Sequence, residues 1–281
     1  MTSLSPQAAA ALAHVARSAS GPPIDPAWRV TLNFHPDRIH RGVTVLQALV
    51  QDRVYRSQFE TGTSNGGLTA HAGGDRWRWE QRIFGGAYDE VHGAERPKYG
   101  ALNPRGRSVG GAPRFGSAHL RLASHALERT TFCYPDSVFE PRHLGTAAHL
   151  DLVERADADA AEGSLDPLDH YVEAHVHGLV DLAEHVEAVV LDPCFHGTRV
   201  EDAANRMPCP VEWHAGFEVD LAVVRAHPEY RGAEVVALAE EVVRGGRLDP
   251  AVIGDAAVSG QHDPQLLKRV WHYLARFGSP D

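Results

Sequence analysis

Cysteine is scarce in this chain, and the long apolar runs of membrane proteins are missing. The three cysteines, Cys133, Cys194 and Cys209, are an odd number without CxxC spacing. This pattern argues against a disulfide framework and a structural zinc site, and it favours a reducing, cytoplasmic location. No run approaches the roughly 18 to 20 apolar residues that cross a bilayer. Residues 1–19 lack an early basic region, so we expect an amphipathic helix there instead of a signal peptide.

Lysine is also rare, because Lys98 and Lys268 stand beside 25 arginines. The net charge is −10, and it is divided unevenly along the chain. Residues 1–150 hold 17 basic and 12 acidic side chains, whereas residues 151–281 hold 10 and 25. Genome composition explains most of the arginines. The overall acidity argues against a general nucleic-acid coat, while the arginine-rich half suits a phosphate ester.

The familiar phosphate-binding motifs and internal repeats are absent too, since neither GxxxxGK[ST] nor GxGxxG occurs. Alternating apolar and β-branched residues predict several strands, and Val43 to Val50 has helical spacing behind Thr44 or Arg41. The predicted strands are residues 30–34, 54–59, 117–122, 130–134, 171–177 and 188–192. Beyond about Pro210 the spacing becomes helical. We therefore expect a mixed α/β core over residues 30–200, after an N-terminal helix and linker (1–29) and before a mainly helical part (201–281).

Candidate ligand-binding residues lie in the first half of the chain. His35 follows a predicted strand, with Arg38 three residues later, and Tyr99 beside Gly100 offers a ring next to a residue that permits close approach. Arg56 and Ser57 are placed in a predicted strand. The polar loop from Glu60 to Gly67, which contains Ser64, could present backbone N–H groups to an anion.

Glu173 is the most informative single residue, because a carboxylate in an apolar, alternating segment is expected to be partnered or functional. Alternation puts Glu173, His175 and His177 on one face. Two interpretations stay open. The histidine pair could bind a metal ion with Asp192 or another carboxylate, or Glu173 could be the catalytic carboxylate of a sugar-transfer site.

Taken in order, these segments resemble the ADP-ribosyltransferases of the diphtheria-toxin and poly(ADP-ribose) polymerase branch. Residues 31–38 (TLNFHPDR), a short helix and residues 54–57 (VYRS) look like that family's first motif. Tyr99 lies where the branch carries its tyrosine, and Glu173 where it carries the catalytic glutamate. Over nearly its full length, the chain also resembles an uncharacterised bacterial family with the motifs YRSQFETG, YGALN and WHYLARF.

The transferase resemblance implies a split mixed β-sheet and NAD as the substrate that donates ADP-ribose. It implies that Glu173 is catalytic and that the donor is bound by His35, Arg38, Arg56, Ser57, Ser64, Tyr99, Gly100 and Ser117. A rival alignment takes Arg56 as the first motif and Ser64 or Ser117 as the second. Arginine-specific members carry Gln or Glu two positions before the catalytic glutamate, whereas this chain has Tyr171 there.

The resemblance leaves the acceptor open between protein, nucleic acid, small molecule and water, and it leaves a secreted effector as an alternative to a cytoplasmic enzyme. No membrane partner is expected. The alternatives are a metal-dependent hydrolase that uses His175 and His177, and an inactive binding module on the same fold.

Overall fold

The computed structural model describes residues 4–62 and 69–281, and its centre is an eight-stranded mixed sheet. Its strands, in chain order, are β1 (Arg29–Phe34), β4 (Lys98–Asn103), β5 (Ala118–Leu122), β6 (Thr130–Tyr134), β7 (His143–Thr146), β8 (Glu173–Val176), β9 (Val186–Leu191) and β10 (Val211–Trp213). Two further antiparallel pairs of short strands lie apart from it. Strands β2 (Ile39–His40) and β3 (Val43–Thr44) form one pair, and strands β11 (Val219–Asp220) and β12 (Arg247–Leu248) form the other.

The order across the sheet is β10-β9-β5-β1-β4-β8-β6-β7. Neighbouring strands are antiparallel except β9 and β10, which are parallel. The expected α/β class is therefore confirmed, with a mixed sheet as its main element.

Ten α-helices surround the sheet within the described residues. They are α1 (Pro6–Ala16), α2 (Val45–Asp52), α3 (Gln58–Thr61), α4 (Asp75–Ile83), α5 (Leu152–Glu162), α6 (Arg199–Ala204), α7 (Leu221–Ala226), α8 (Ala233–Val242), α9 (Pro250–Ser259) and α10 (Pro264–Phe277). Nowhere in residues 4–62 and 69–281 is a helix both long and apolar enough to cross a membrane.

The two faces of the sheet differ in polarity because side chains alternate along each strand. In β1, Val30, Leu32 and Phe34 enter the main apolar core, which also contains residues of α2, α5 and α6. The alternate residues Thr31 and Asn33 point to the opposite face, where the neighbouring strands also place polar side chains. This second face is buried as well, so its polar groups need partners inside the protein.

The C-terminal residues form a second apolar core. Helix α10 contributes Val270, Trp271 and Leu274 to it, and the indole N–H of Trp271 donates to the backbone oxygens of Pro113 and Arg114 at 3.0 Å. Asp249 and Asp263 cap α9 and α10 ahead of a proline, which is a common way to start a helix. The mainly helical part thus packs against the loop that leads into β5.

Several sequence predictions are confirmed, and one strand is wrong. Strand β1 ends before His35, and Thr44 caps α2 in a capping box. The predicted strand at 54–59 does not form. Val54 makes only an isolated bridge with Asp181, and Ser57 caps α3 instead. The serine hydroxyl satisfies a helix N–H there, which outweighs the local β propensity.

Strands β1 and β4 pair over only part of their length. Their register runs from Arg29 opposite Asn103 to Thr31 opposite Ala101. Beyond Thr31, β1 continues along β5, while the other end of β4 continues along β8. The sheet therefore carries a gap in its pairing beside Tyr99 and Gly100.

Candidate functional site

A cavity of about 490 Å³ opens at this gap. Ligand sites are usually concave and of this order of size. Its wall combines the polar face of the sheet, α2, the segment after α2 and the side chain of Arg76. The ionisable groups in the lining are His40, Arg41, Asp52, Tyr55, Arg56, Arg76, Lys98, Tyr99, Asp136 and Glu173.

Glu173 begins β8 and is only 5% exposed. It lies opposite Ala101 of β4 and Cys133 of β6, on the polar face of the sheet. Its Oε1 accepts a hydrogen bond from Nε2 of His175 at 3.0 Å, and its Oε2 accepts one from the Ser137 hydroxyl at 3.0 Å. The buried carboxylate is therefore held in one orientation at the cavity wall.

The surroundings of Glu173 keep it ionised. Burial alone would raise the pKa of this carboxyl, but the hydrogen bond from His175 and the charge of Arg76 lower it below its usual value. The nearest Arg76 nitrogen lies 3.9 Å from Oε1. A negative charge is thus present at the cavity wall at neutral pH.

Arg76 enters the site from the first turn of α4 and is 3% exposed. Its Nη1 donates to the Ser137 hydroxyl at 2.8 Å, and its guanidinium carbon lies 4.1 Å from the centre of the Tyr99 ring. Its Nε is buried and has no hydrogen-bond partner among the described atoms. Since buried N–H groups are rarely left unpaired, this guanidinium is suited to receive an acceptor from a ligand.

The hydroxyl of Tyr99 is held by a buried ion pair. This hydroxyl donates to Oε1 of Glu80 at 2.7 Å, and Arg96 donates to the other oxygen of Glu80 at 2.6 Å. The Arg96–Glu80 pair is almost completely buried. Its position sets the orientation of the Tyr99 ring in the cavity.

Gly100 lies where β1 approaches β4 closely. A Cβ added there would lie 2.5 Å from the Thr31 carbonyl oxygen and from Cδ2 of Leu32. Glycine is therefore required by the close approach of β1. The geometry assigns Gly100 to strand packing, although its backbone also lines the cavity.

Asp136 provides a second carboxyl group in the same cavity. Its Oδ1 accepts from the backbone N–H of Val138 at 2.6 Å, and its Oδ2 accepts from the Tyr171 hydroxyl. Burial and the nearby charge of Glu173 raise its pKa above the usual value, and these effects outweigh the two hydrogen bonds. Asp136 and Glu173 therefore differ in proton affinity.

His175 and His177 belong to a buried chain of hydrogen bonds. Since a carboxylate can only accept, Nε2 of His175 carries a proton and its Nδ1 accepts from the Thr131 hydroxyl at 3.1 Å. The Thr131 oxygen then accepts from Nε2 of His177 at 3.0 Å, and Nδ1 of His177 accepts from Tyr88 at 2.7 Å. Burial lowers the pKa of both histidines, so both rings are neutral.

One cluster of possible metal ligands lies in this region, and it includes His175 but not His177. The ligand atoms of Cys133, Glu173 and His175 lie within 4.8 Å of one another. However, Arg76 is 3.9 Å from the same Glu173 oxygen, and His175 already donates to that oxygen. These contacts favour a hydrogen-bonded cluster over a cation site. Asp192 lies elsewhere, where it accepts from the N–H groups of Cys194 and Phe217.

Basic side chains also line the cavity, and most have partners. Arg56 pairs with Asp52 at 2.6 Å and with Glu60 at 3.3 Å. Lys98 donates to three backbone oxygens, and burial lowers its pKa to about 8. Arg56, Arg76 and Lys98 thus place three basic groups at the wall of the cavity.

The structure brings some of the sequence-predicted site residues together and separates others. Those that line the cavity are Arg56, Tyr99, Gly100 and Glu173. Those that do not, within the described residues, are His35, Arg38, Ser57 and Ser117. Ser64 lies outside the described residues.

The separated residues make other contacts. The His35 ring packs edge-on against Trp271 with centroids 4.8 Å apart, and burial and then Arg38 lower its pKa to about 3. Ser57 caps α3 and donates to the Gly93 carbonyl at 2.6 Å. The Ser117 carbonyl is 2.8 Å from Nε2 of His214.

Sequence reasoning missed Arg76, Asp136 and Ser137. The sequence signal for Arg76 was its position in the aromatic, amphipathic segment RWRWEQRIF. Helical spacing places Arg76 on the same face as Trp79 and Ile83, which is the buried face of this helix. Asp136 and Ser137 follow the end of β6 after one intervening proline, and polar residues near strand ends often line sites.

A family model matches the chain over residues 29–157 and 152–277. The chain belongs to the DUF3626 family. DUF3626 is described as a protein family of unknown function. No curated protein matches the chain. Membership of DUF3626 thus leaves the activity to be inferred from the site itself.

Proposed function

We propose that this protein is an NAD-dependent mono-ADP-ribosyltransferase that transfers ADP-ribose to an acceptor and releases nicotinamide. The observation that supports this proposal most directly concerns Glu173. It is a buried carboxylate that is kept ionised at the wall of a cavity whose lining also contains Arg56 and Arg76. Cleavage of a glycosidic bond develops positive charge on the sugar, and a fixed carboxylate stabilises that charge. Arginines match the anionic pyrophosphate of the donor.

The described residues fit a dinucleotide in several respects. The partnerless Nε of Arg76 requires an acceptor, which a phosphate or amide oxygen would supply. Tyr99 offers the nicotinamide ring an aromatic edge beside the face that Arg76 covers. Glu173 would accept a hydrogen bond from a ribose hydroxyl, and the hydrogen bond from Ser137 would keep the carboxylate oriented toward the ribose.

The gap between β1 and β4 supports the finer assignment to a split-sheet transferase core. The alignment through His35 is incomplete in the cavity, since His35 packs on Trp271, and in the rival alignment Ser117 does not line the cavity while Ser64 lies outside the described residues. The serine that contacts Glu173 is Ser137. We assign the central roles to Arg76, Ser137 and Glu173, with Tyr99 and Arg56 on the donor.

The metal-dependent hydrolase is less favoured by the same contacts. Both ring nitrogens of His177 are engaged by Thr131 and Tyr88, so the His175–His177 pair offers no open metal-binding face. An inactive binding module would have the same cavity but would not cleave NAD. An experiment with labelled NAD distinguishes the possible classes of acceptor, which are protein, nucleic acid, small molecule and water.

The test combines NAD binding with nicotinamide release. We expect calorimetry to show binding by the wild-type protein and by Glu173→Gln, whereas only the wild type releases nicotinamide when cell lysate supplies acceptors. Glu212→Gln is the matched control, because Glu212 lies on the same sheet outside this cavity. Binding without release in the wild type would support the inactive module. Release that a chelator abolishes would support the hydrolase.

A further inference from the structure

Asp136 and Glu173 share one cavity wall and one intervening hydroxyl. The Ser137 hydroxyl donates to Oε2 of Glu173 at 3.0 Å and lies 3.4 Å from Oδ1 of Asp136. Asp136 is 7% exposed, and both carboxyl groups line the same space. A ligand held by Glu173 therefore lies within reach of a second carboxyl group.

Different elements position the two groups. Glu173 is fixed by a strand, whereas Asp136 follows β6 and caps the short 3-10 turn Ser137–Phe139 through the N–H of Val138. The Tyr171 hydroxyl anchors the other Asp136 oxygen. The ionisable groups that interact with Asp136 come from four neighbouring segments: Glu173 and Tyr171, Arg76 of α4, Cys133 of β6 and Lys268 of α10.

We propose that Asp136 is the general base of the transfer reaction. It takes the proton from the nucleophilic O–H or N–H of the acceptor, while Glu173 stabilises the positive charge on the sugar. This role rests on the proposed function and extends it, because it assigns the acceptor side of the cavity.

The chemistry balances with these two residues. The bond between the ribose carbon and the nicotinamide nitrogen breaks, and its electron pair leaves with neutral nicotinamide. The acceptor oxygen or nitrogen forms the new bond to that carbon. Its proton passes to the Asp136 carboxylate and then to water, so no further reactant is needed.

The different environments of Glu173 and Asp136 suit them to different roles in the reaction. Glu173 has a lowered pKa and stays ionised, as a charge stabiliser must. Asp136 has a raised pKa, which makes its carboxylate a stronger base than an ordinary aspartate. Pairs of groups with separated pKa values are typical of acid and base roles in one site.

The decisive experiment compares Asp136→Asn with the wild type in nicotinamide release and NAD binding across pH. General bases typically contribute 10²- to 10⁴-fold, so we expect kcat to fall by about 100-fold or more. The dissociation constant of NAD should change by less than about threefold, because the base acts on the acceptor. Asp166→Asn is the control, since Asp166 also caps a 3-10 turn and does not line the cavity.

Tyr171→Phe tests the assignment without removing the carboxyl group. The Tyr171 hydrogen bond lowers the pKa of Asp136, so its loss should move the acidic limb of the kcat/KM profile to higher pH. The infrared carbonyl band of Asp136, identified by its loss in Asp136→Asn, should titrate with the same shift. An unmoved limb or band in a folded Tyr171→Phe protein would overturn the role of Asp136.

The two proposals fail in different ways. If the wild type neither binds nor cleaves NAD, the proposed transferase function is wrong, and this role is wrong with it. If the wild type cleaves NAD and Asp136→Asn keeps its rate and pH profile, only the assignment of Asp136 is wrong.

Discussion

The Ser137 hydroxyl donates a 3.0 Å hydrogen bond to Oε2 of Glu173, and the Ser137 hydroxyl oxygen itself accepts from Nη1 of Arg76 at 2.8 Å. Ser137 thus connects the ionised carboxylate to the guanidinium that faces it. Hydrogen bonds to charged groups contribute more than those between neutral groups. The orientation of Glu173 depends on this contact.

Replacing Ser137 by alanine should slow nicotinamide release by about 10- to 100-fold, since one hydrogen bond to a charge is lost. The pKa of Glu173 should rise, because the Ser137 contact lowers it. Steady-state kinetics across pH measure both effects. Ser137→Thr retains the hydroxyl and should recover most of the rate, whereas equal rates in the alanine variant and the wild type would argue against this role.

The buried Arg96–Glu80 pair should dominate local stability. Breaking such a pair leaves an uncompensated buried charge, so Arg96→Met should lower the free energy of unfolding by about 3 to 5 kcal/mol. Urea denaturation measures this difference. In the exposed pair of Arg244 and Asp255, the change Arg244→Met should cost less than about 1 kcal/mol. Similar losses in the two variants would contradict the difference in burial.

Asp37 should make stability fall as pH rises. Burial and then the charge of Asp255 raise its pKa from 3.8 to about 7. The native state therefore keeps the proton longer than the unfolded chain, and the free energy of unfolding decreases between about pH 4 and pH 7. Asp37→Asn should flatten this decrease and be the more stable protein at pH 8, by about 1 to 3 kcal/mol. Parallel pH curves from thermal unfolding would refute the assignment.

Metal removal separates the transferase from the hydrolase. Because His175 and His177 are saturated by hydrogen bonds, we expect chelator-treated protein to keep its full rate of nicotinamide release. Elemental analysis of the treated protein checks that the metal is gone. Loss of activity that zinc restores would favour the hydrolase.

Much of the fold was predictable because the sequence patterns are local. The β-branched and apolar residues 30–34, which run into the proline after His35, predicted β1, and the spacing predicted that α2 starts behind Thr44 or Arg41, of which the structure selects Thr44. The strand proposed around Arg56 failed because its aromatic and β-branched residues lie beside Ser57, whose side chain caps a helix. Local propensity could not weigh that hydrogen bond.

The site was only partly predictable because its members come from distant segments. Glu173 could be found alone, since a carboxylate in an apolar strand needs an explanation. Arg76 and Ser137 become meaningful only when the sheet places β8 beside β6 and α4 packs over both. His35 stands at a strand end, yet its ring is taken up by Trp271, more than 230 positions later in the chain.

The most direct test of the central claim is transfer of label from NAD. The purified protein is incubated with cell lysate and NAD labelled in its adenosine portion, and label is counted in the protein fraction, the nucleic-acid fraction and the small-molecule products after separation from unreacted NAD. We predict that label enters one of these fractions with the wild-type protein and Glu212→Gln, and does not with Glu173→Gln. Label incorporation by Glu173→Gln equal to that of the wild type would contradict the assignment of this cavity as the transferase site.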